Sequence, residues 1–214
     1  MNNLSKRKLE VIWRQVPPDY YEKGKKRNLF QKVWHGRKWK ILDRLLTGNP
    51  KTILDVGCAS GHITGLIKKK FPNSNVTGTD VSKIFIDFAK IIYPNIKFYH
   101  YDAHNLGFKD KSFNLIICTE VLEHVVNPKK VLEEIRRCLK DDGDLIVEMD
   151  SGSIPFSIVW YLWKRFGPGK VWRSAHLTHF NSDKLEKLIL DSGFRIKQKI
   201  FINLGMAVFF KCQK

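Results

Sequence analysis

Hydrophobic and polar positions along the chain change period several times, and each change marks a predicted element. Leu9, Ile12, Trp13 and Val16 form an amphipathic stripe that stops at Pro17-Pro18. Phe30, Val33, Trp34, Ile41, Leu42, Leu45 and Leu46 suggest a second helix closed by Gly48. The pattern then alternates. Lys51–Gly57 is a short apolar run ending in glycine, a buried strand by length. Ile63–Lys70 reads as a helix whose last turn, Lys68-Lys69-Lys70, suits the negative end of the dipole. Asn75–Asp80 is a second strand, and Lys83–Ile92 a helix ended before Pro94. Ile96–Tyr101 and Phe113–Thr119 are the third and fourth strands. Pro128 opens a helix with Val131, Leu132, Ile135 and Leu139 on one face. Asp141-Asp142-Gly143 is expected to turn the chain into a fifth strand, Leu145–Met149. After residue 182, Leu185, Leu188, Ile189 and Leu190 make a helix ending at Gly193. Phe194–Ile202 and Ala207–Lys211 then close the chain as an antiparallel hairpin through Asn203-Leu204-Gly205. Alternating strands and helices with short connections predict an α/β fold, a mostly parallel sheet covered on both faces.

Composition narrows the function class. With 214 residues the chain has room for one complete domain with modest additions, and 43% hydrophobic content excludes a disordered chain. Its formal net charge is +17, unevenly distributed. Residues 1–51 hold 14 Lys+Arg and 4 Asp+Glu; residues 151–214 hold 11 and 3; the segment between is nearly neutral. All six tryptophans lie in the flanks: Trp13, Trp34 and Trp39, then Trp160, Trp163 and Trp172. Basic, Trp-rich flanks suit an anionic surface, membrane or nucleic acid; the plainer reading is a solvated basic surface over small buried helices. Cys58, Cys118, Cys138 and Cys212 lie far apart without a CxxC, as reduced thiols of a cytoplasmic protein would. No run approaches the roughly 20 apolar residues of a membrane span, and no secretory signal is expected.

The sharpest motif is Leu54-Asp55-Val56-Gly57-Cys58-Ala59-Ser60-Gly61-His62, where a strand hands over to a helix. The NAD fingerprint GxGxxG fails, because its second and third glycines would fall on Ala59 and His62. Asp55 inside an apolar strand end is costly unless it is hydrogen-bonded. Asp80 follows at the end of the second strand, placed to accept from two ribose hydroxyls, and Asp102 follows the third. Each alone could merely cap a turn; three at consecutive strand ends point to a nucleotide-type cofactor. Cys58 has no evident basic neighbour and reads as packing rather than as a nucleophile.

These motifs resemble the class I S-adenosylmethionine (SAM)-dependent methyltransferases, in the broad group of ubiquinone- and menaquinone-biosynthesis enzymes, over roughly residues 40–214. The resemblance implies a Rossmann-like seven-stranded sheet with an antiparallel last strand, and SAM as cofactor with S-adenosylhomocysteine as product. It implies that Asp55, Gly57, Cys58 and Gly61 surround the methionine moiety and that Asp80 holds the ribose hydroxyls. Val81 would pack on the adenine, Asp102 and the Ala103 amide would bond its edge, and Glu120 would line the reacting end. Ala59 departs from the family's usual glycine and makes the loop less permissive. The expected organisation is a basic helical extension over 1–50 and a methyltransferase domain over 51–214, with a lid-like insertion at about 151–179.

Glu120, Glu123 and His124 would share one face if helical, and with His176 or His179 could hold a divalent ion. The same pentapeptide also occurs in metal-free relatives, so no metal is expected. A hydroxyl acceptor would need a base, for which His124, His176 and His179 are the candidates. The expected reaction is methyl transfer to a small-molecule or lipid-like acceptor, with peripheral contact to an anionic membrane. The alternatives are an RNA methyltransferase using the basic flanks and a SAM-binding module without catalysis.

Overall fold

The computed structural model describes residues 16–19, 28–167 and 181–214. Helix α1 (Leu29–Leu45) starts where the Asn28 side chain accepts from the Gln31 amide at 3.2 Å. Then come β1 (Thr52–Val56), α2 (His62–Lys70), β2 (Asn75–Asp80), α3 (Lys83–Ile92), β3 (Lys97–His100) and β4 (Phe113–Thr119). A 3₁₀ turn at Leu122–His124 leads to α4 (Pro128–Cys138), β5 (Leu139–Asp150), α5 (Ile154–Phe166), α6 (Ser182–Asp191), β6 (Arg195–Ile202) and β7 (Ala207–Gln213). The strands form one seven-stranded sheet ordered β3-β2-β1-β4-β5-β7-β6. All pairings are parallel except those of β7, which runs antiparallel to β5 and β6.

Alternation along the strands sends side chains to opposite faces. On one face Leu145, Val147 and Met149 of β5 pack with Val131, Leu132 and Ile135 of α4 and Leu185 and Ile189 of α6. On the other, Ile146 joins Ile53, Ile117 and Phe209 under Leu42, Leu45 and Leu46 of α1 and Ile67 of α2. Period two therefore points Glu148 and Asp150 toward α1. Near-continuous apolar strands such as Leu-Ile-Ile-Cys in β4 are what a sheet covered twice requires.

One boundary differs from the sequence reading. The Asp141-Asp142-Gly143 segment does not precede the fifth strand but lies inside it. Leu139 already pairs with Phe113 and Asp144 with Leu115, so residues 140–143 bulge out opposite Asn114 alone. The hairpin turn is as expected, with Asn203, Leu204 and Gly205 all at positive φ. All four cysteines are buried and free. Among the described residues no helix is long and apolar enough to cross a membrane.

Candidate functional site

Chain order reverses between β1's neighbours β2 and β4, and such a reversal leaves a crevice at the strands' C-terminal ends. The candidate residues collect there. Gly57 ends β1 at φ 72°, with its amide donating to the Thr79 carbonyl at 2.8 Å. A Cβ at Gly57 would collide with Val121 Cγ2, so a side chain is disfavoured twice, by conformation and by space. Ala59 also takes a left-handed conformation, φ 44°, which costs a residue with a Cβ about 1–2 kcal/mol. Its amide donates to Asp80 Oδ2 at 2.9 Å, and that bond holds the loop in place. Gly61, at φ 80°, is the N-cap of α2.

Asp55 is 1% exposed and accepts from the Thr64 hydroxyl at 2.6 Å, tying β1 to α2. Burial pushes its carboxyl up to about 7, with the Thr64 bond pulling down and the charge of Asp80 adding to the rise. Asp80 accepts from the Ser82 amide at 2.8 Å through Oδ1. Burial raises its carboxyl as well, opposed by the Ser82 and Ala59 amides. Each Asp80 oxygen thus takes one amide and keeps lone-pair capacity, which fits a carboxylate that also receives two hydroxyls. Asp102 sits just beyond β3, where Oδ1 accepts from the His104 amide at 2.9 Å and meets His104 Nδ1 at 2.6 Å. Val81 and Ala103 are half-buried beside these carboxylates. Cys58 is buried, and burial, helped by Asp80 and Asp55, pushes its thiol well above the ordinary range, as an inert packing thiol requires.

The second constellation is assembled differently from the sequence reading. Glu120, Glu123 and His124 do not share a helical face. Glu120 lies at φ 56°, outside any helix, and only Leu122–His124 makes a 3₁₀ turn. The Glu120 amide donates to the Glu148 carbonyl, and its carboxylate turns to Glu148 and Asp150, the three offering oxygens within 4.8 Å of one another. Into this group α1 inserts Lys38, paired with Glu120 and lying 2.8 Å from Glu148 and 3.5 Å from Asp150. Burial works against the ammonium, but Glu148 and Asp150 outweigh it and hold Lys38 charged. Burial also raises Glu148, while the Lys38 charge pulls it back. The position a cation would take is thus occupied by the chain's own ammonium.

Lys38, Glu148 and Asp150 were not singled out by the sequence reading. Val147-Glu148-Met149-Asp150 did carry a signal, because acids at i and i+2 in a buried strand must face a partner. Lys38 carried none among the other basic residues of α1. His124 is 9% exposed in the 3₁₀ turn; His176 and His179 lie outside the described residues.

A methyltransferase domain family matches residues 28–199. The chain belongs to this family. SAM is the cofactor of such class I methyltransferases, and the 3-2-1-4-5-7-6 sheet with its antiparallel β7 is their fold. The chain is 33% identical over 112 residues to a demethylmenaquinone methyltransferase of Thermotoga maritima, covering 51% of this chain and 49% of that protein. It is 32% identical over 110 residues to a ubiquinone biosynthesis O-methyltransferase of Coxiella burnetii, covering 50% and 46%. The aligned part spans about half the length of these relatives. A SAM-dependent methyltransferase from Aquifex aeolicus superposes with a TM-score of 0.65 at 16% identity, over 81% of this chain and 87% of that one, a likeness of fold.

Proposed function

We propose that this methyltransferase transfers the methyl group of SAM to a small-molecule or lipid-like acceptor. The observation that carries the cofactor half of the reading is the set of carboxylates at consecutive strand ends, Asp55, Asp80 and Asp102, around a Gly57–Gly61 loop anchored to Asp80; the apolar face of α5 described below carries the acceptor half. Asp55, Gly57, Cys58 and Gly61 would enclose the methionine portion, Asp80 would receive the ribose hydroxyls, and Val81, Asp102 and Ala103 would meet the adenine. Glu120 would face the reacting end. When bound, SAM supplies an electrophilic methyl on a sulfonium. What the chain contributes is mainly alignment of acceptor and donor, with His124, His176 or His179 as base for a hydroxyl acceptor.

The test is transfer of labelled methyl from SAM into fractionated lipid, metabolite, RNA and protein extracts. Label in lipid or metabolite fractions supports the reading. Label in RNA would move the assignment to the alternative that uses the basic flanks, and label in no fraction would reduce the protein to a SAM-binding module. Turnover is expected to survive EDTA, because Lys38 fills the carboxylate group; loss on chelation and recovery with magnesium or zinc would overturn this.

Helix α5 supports a lid that meets an anionic membrane. Phe156 turns inward and Trp160 stacks on it at 5.8 Å. The opposite face, at a spacing of four, exposes Ile154, Ile158, Leu162 and Phe166, the first and last by 78% and 75%. Arg165 lies over the Phe166 ring of that face, while Lys164 lies over Trp160 on the other side, and each cation that comes near an anionic leaflet adds about 1 kcal/mol. Aliphatic side chains favour lipid over phosphate contacts of RNA. The protein is expected to float with phosphatidylglycerol vesicles at low salt but not with neutral ones. Ile158→Ser with Leu162→Ser should cut the bound fraction several-fold, and an absence of flotation would remove the proposal.

A further inference from the structure

The loop leaving β3, which carries Asp102 and Ala103, is tied to α4 at two points. Glu134 of α4 accepts from the Leu106 amide at 3.0 Å through Oε1, and Arg137 donates to the same oxygen at 2.7 Å. This tether holds backbone, and Leu106 is fully buried. The second tether runs through a side chain. His104 Nε2 accepts from the Asn127 amide at 3.3 Å. Asn127 is the N-cap of α4, its own side chain accepting from the Lys130 amide at 3.0 Å, so it offers a fixed donor to the imidazole.

That donor fixes the tautomer. An N–H can only donate, so Nε2 is the bare nitrogen of the ring and Nδ1 carries the hydrogen. Nδ1 therefore donates to Asp102 Oδ1 at 2.6 Å, the oxygen that the His104 amide also reaches at 2.9 Å. The amide bond alone is the ordinary local turn of an aspartate. The imidazole adds a second donor on the same oxygen, anchored through Asn127 to another element, and so holds the plane of the carboxylate. Asp102 keeps 30% of its side chain exposed against 15% for His104, so the carboxylate stays open to a ligand while its brace is covered.

We infer that His104 is a positioning residue for the cofactor: it aims Asp102 at the exocyclic amino group of the adenine and so sets the preference for adenine over a purine that lacks this group. The inference rests on the placement of Asp102 at the adenine proposed above. A charge-assisted hydrogen bond is strong only when its acceptor is aimed, and a carboxylate held in place beforehand loses no freedom when the ligand arrives. The two ring nitrogens give opposite outcomes for two substitutions. In His104→Asn the amide nitrogen takes the place of Nδ1 and keeps a donor for Asp102. In His104→Gln the amide oxygen takes the place of Nε2, which keeps the acceptor for Asn127 and loses the donor to Asp102.

Calorimetry on the full chain compares S-adenosylhomocysteine with its 6-deamino analogue, which keeps the ring nitrogens and lacks only the amino group. The wild-type chain should bind the adenine compound about tenfold or more tighter. His104→Gln should cut that preference at least fivefold, and His104→Asn should hold it within twofold of wild type. Each preference is a ratio within one variant, so a loss of folded protein cancels from it. A preference unchanged in His104→Gln overturns the inference, as does an equal loss in both variants, the result a merely structural histidine would give. Equal binding of the two compounds by the wild-type chain, or a preference that survives Asp102→Ala, would remove Asp102 from the adenine and the inference with it. A preference lost in Asp102→Ala but intact in His104→Gln overturns the inference alone. Nitrogen-15 shifts of the His104 ring in the wild-type chain test it without substitution: hydrogen on Nδ1 supports it, and hydrogen on Nε2 overturns it.

Discussion

Lys38→Met is expected to destabilise the fold by about 3–5 kcal/mol at pH 8, the cost of stranding buried charges whose partner has been removed. Methionine keeps much of the lysine's length and its apolar contacts, so the loss reports charge rather than volume. Without the ammonium, Glu148 and Asp150 face each other and Glu123 with no counter-charge among the described residues. The remedy open to the folded chain is to hold protons on these acids, which fixes the pH dependence. In the native protein burial, chiefly, already raises Asp150 to about 6 and Glu123 to about 8. Acids raised in the fold bind protons there that the unfolded chain has released above its ordinary carboxylate range. Stability therefore falls as pH rises from about 4 toward 8, by about 1.4 kcal/mol per unit for each proton so retained. The variant raises these acids further, so its deficit should be largest at pH 8 and shrink toward pH 5. Urea unfolding of both proteins at pH 5, 6.5 and 8 measures this. A deficit independent of pH, or none at pH 8, would show that the Lys38 pairs contribute nothing net.

The second large effect concerns the cofactor. Asp80→Ala should weaken SAM by about 1–3 kcal/mol, a factor of roughly 5 to 150, because the ribose hydroxyls lose a charged acceptor. The structure adds a second cause. The Asp80 carboxylate also receives the Ala59 and Ser82 amides, and Ala59 sits in a conformation that a Cβ disfavours. Cutting the Ala59 bond frees the loop to relax away from its binding shape. Asp80→Asn keeps one acceptor oxygen and should fall between the two proteins. NADH should not compete, since the loop lacks the second and third glycines of the dinucleotide fingerprint. Calorimetric titration with SAM is decisive: unchanged affinity in Asp80→Ala would remove Asp80 from the site.

Much of this protein is determined locally and can be read from the sequence alone. The alternation of short apolar runs with stretches of period 3.6 between Thr52 and Cys138 locates β1 to β4 and the helices between them, because burying both faces of a parallel sheet demands apolar strands. Gly57, Gly61, Asp55 and Asp80 are legible for the same reason: a strand-to-helix turn needs special backbone, and an acid in an apolar strand end needs a partner. What the sequence left open depends on contacts between distant segments. Asp141-Asp142-Gly143 has turn composition, but only the pairing of Leu139 with Phe113 makes it a bulge within β5. Glu120-Val-Leu-Glu123-His124 has helical spacing. Pairing of β4 with β5 carries the chain past Thr119 into a left-handed residue, and so sends Glu120 toward Glu148 and Asp150. Lys38 is one of several basic residues on α1, and its own neighbours say nothing of its role. Packing of Leu42, Leu45 and Leu46 against the sheet sets the rotation of α1, and that rotation alone delivers Lys38 to acids 82 to 112 positions away.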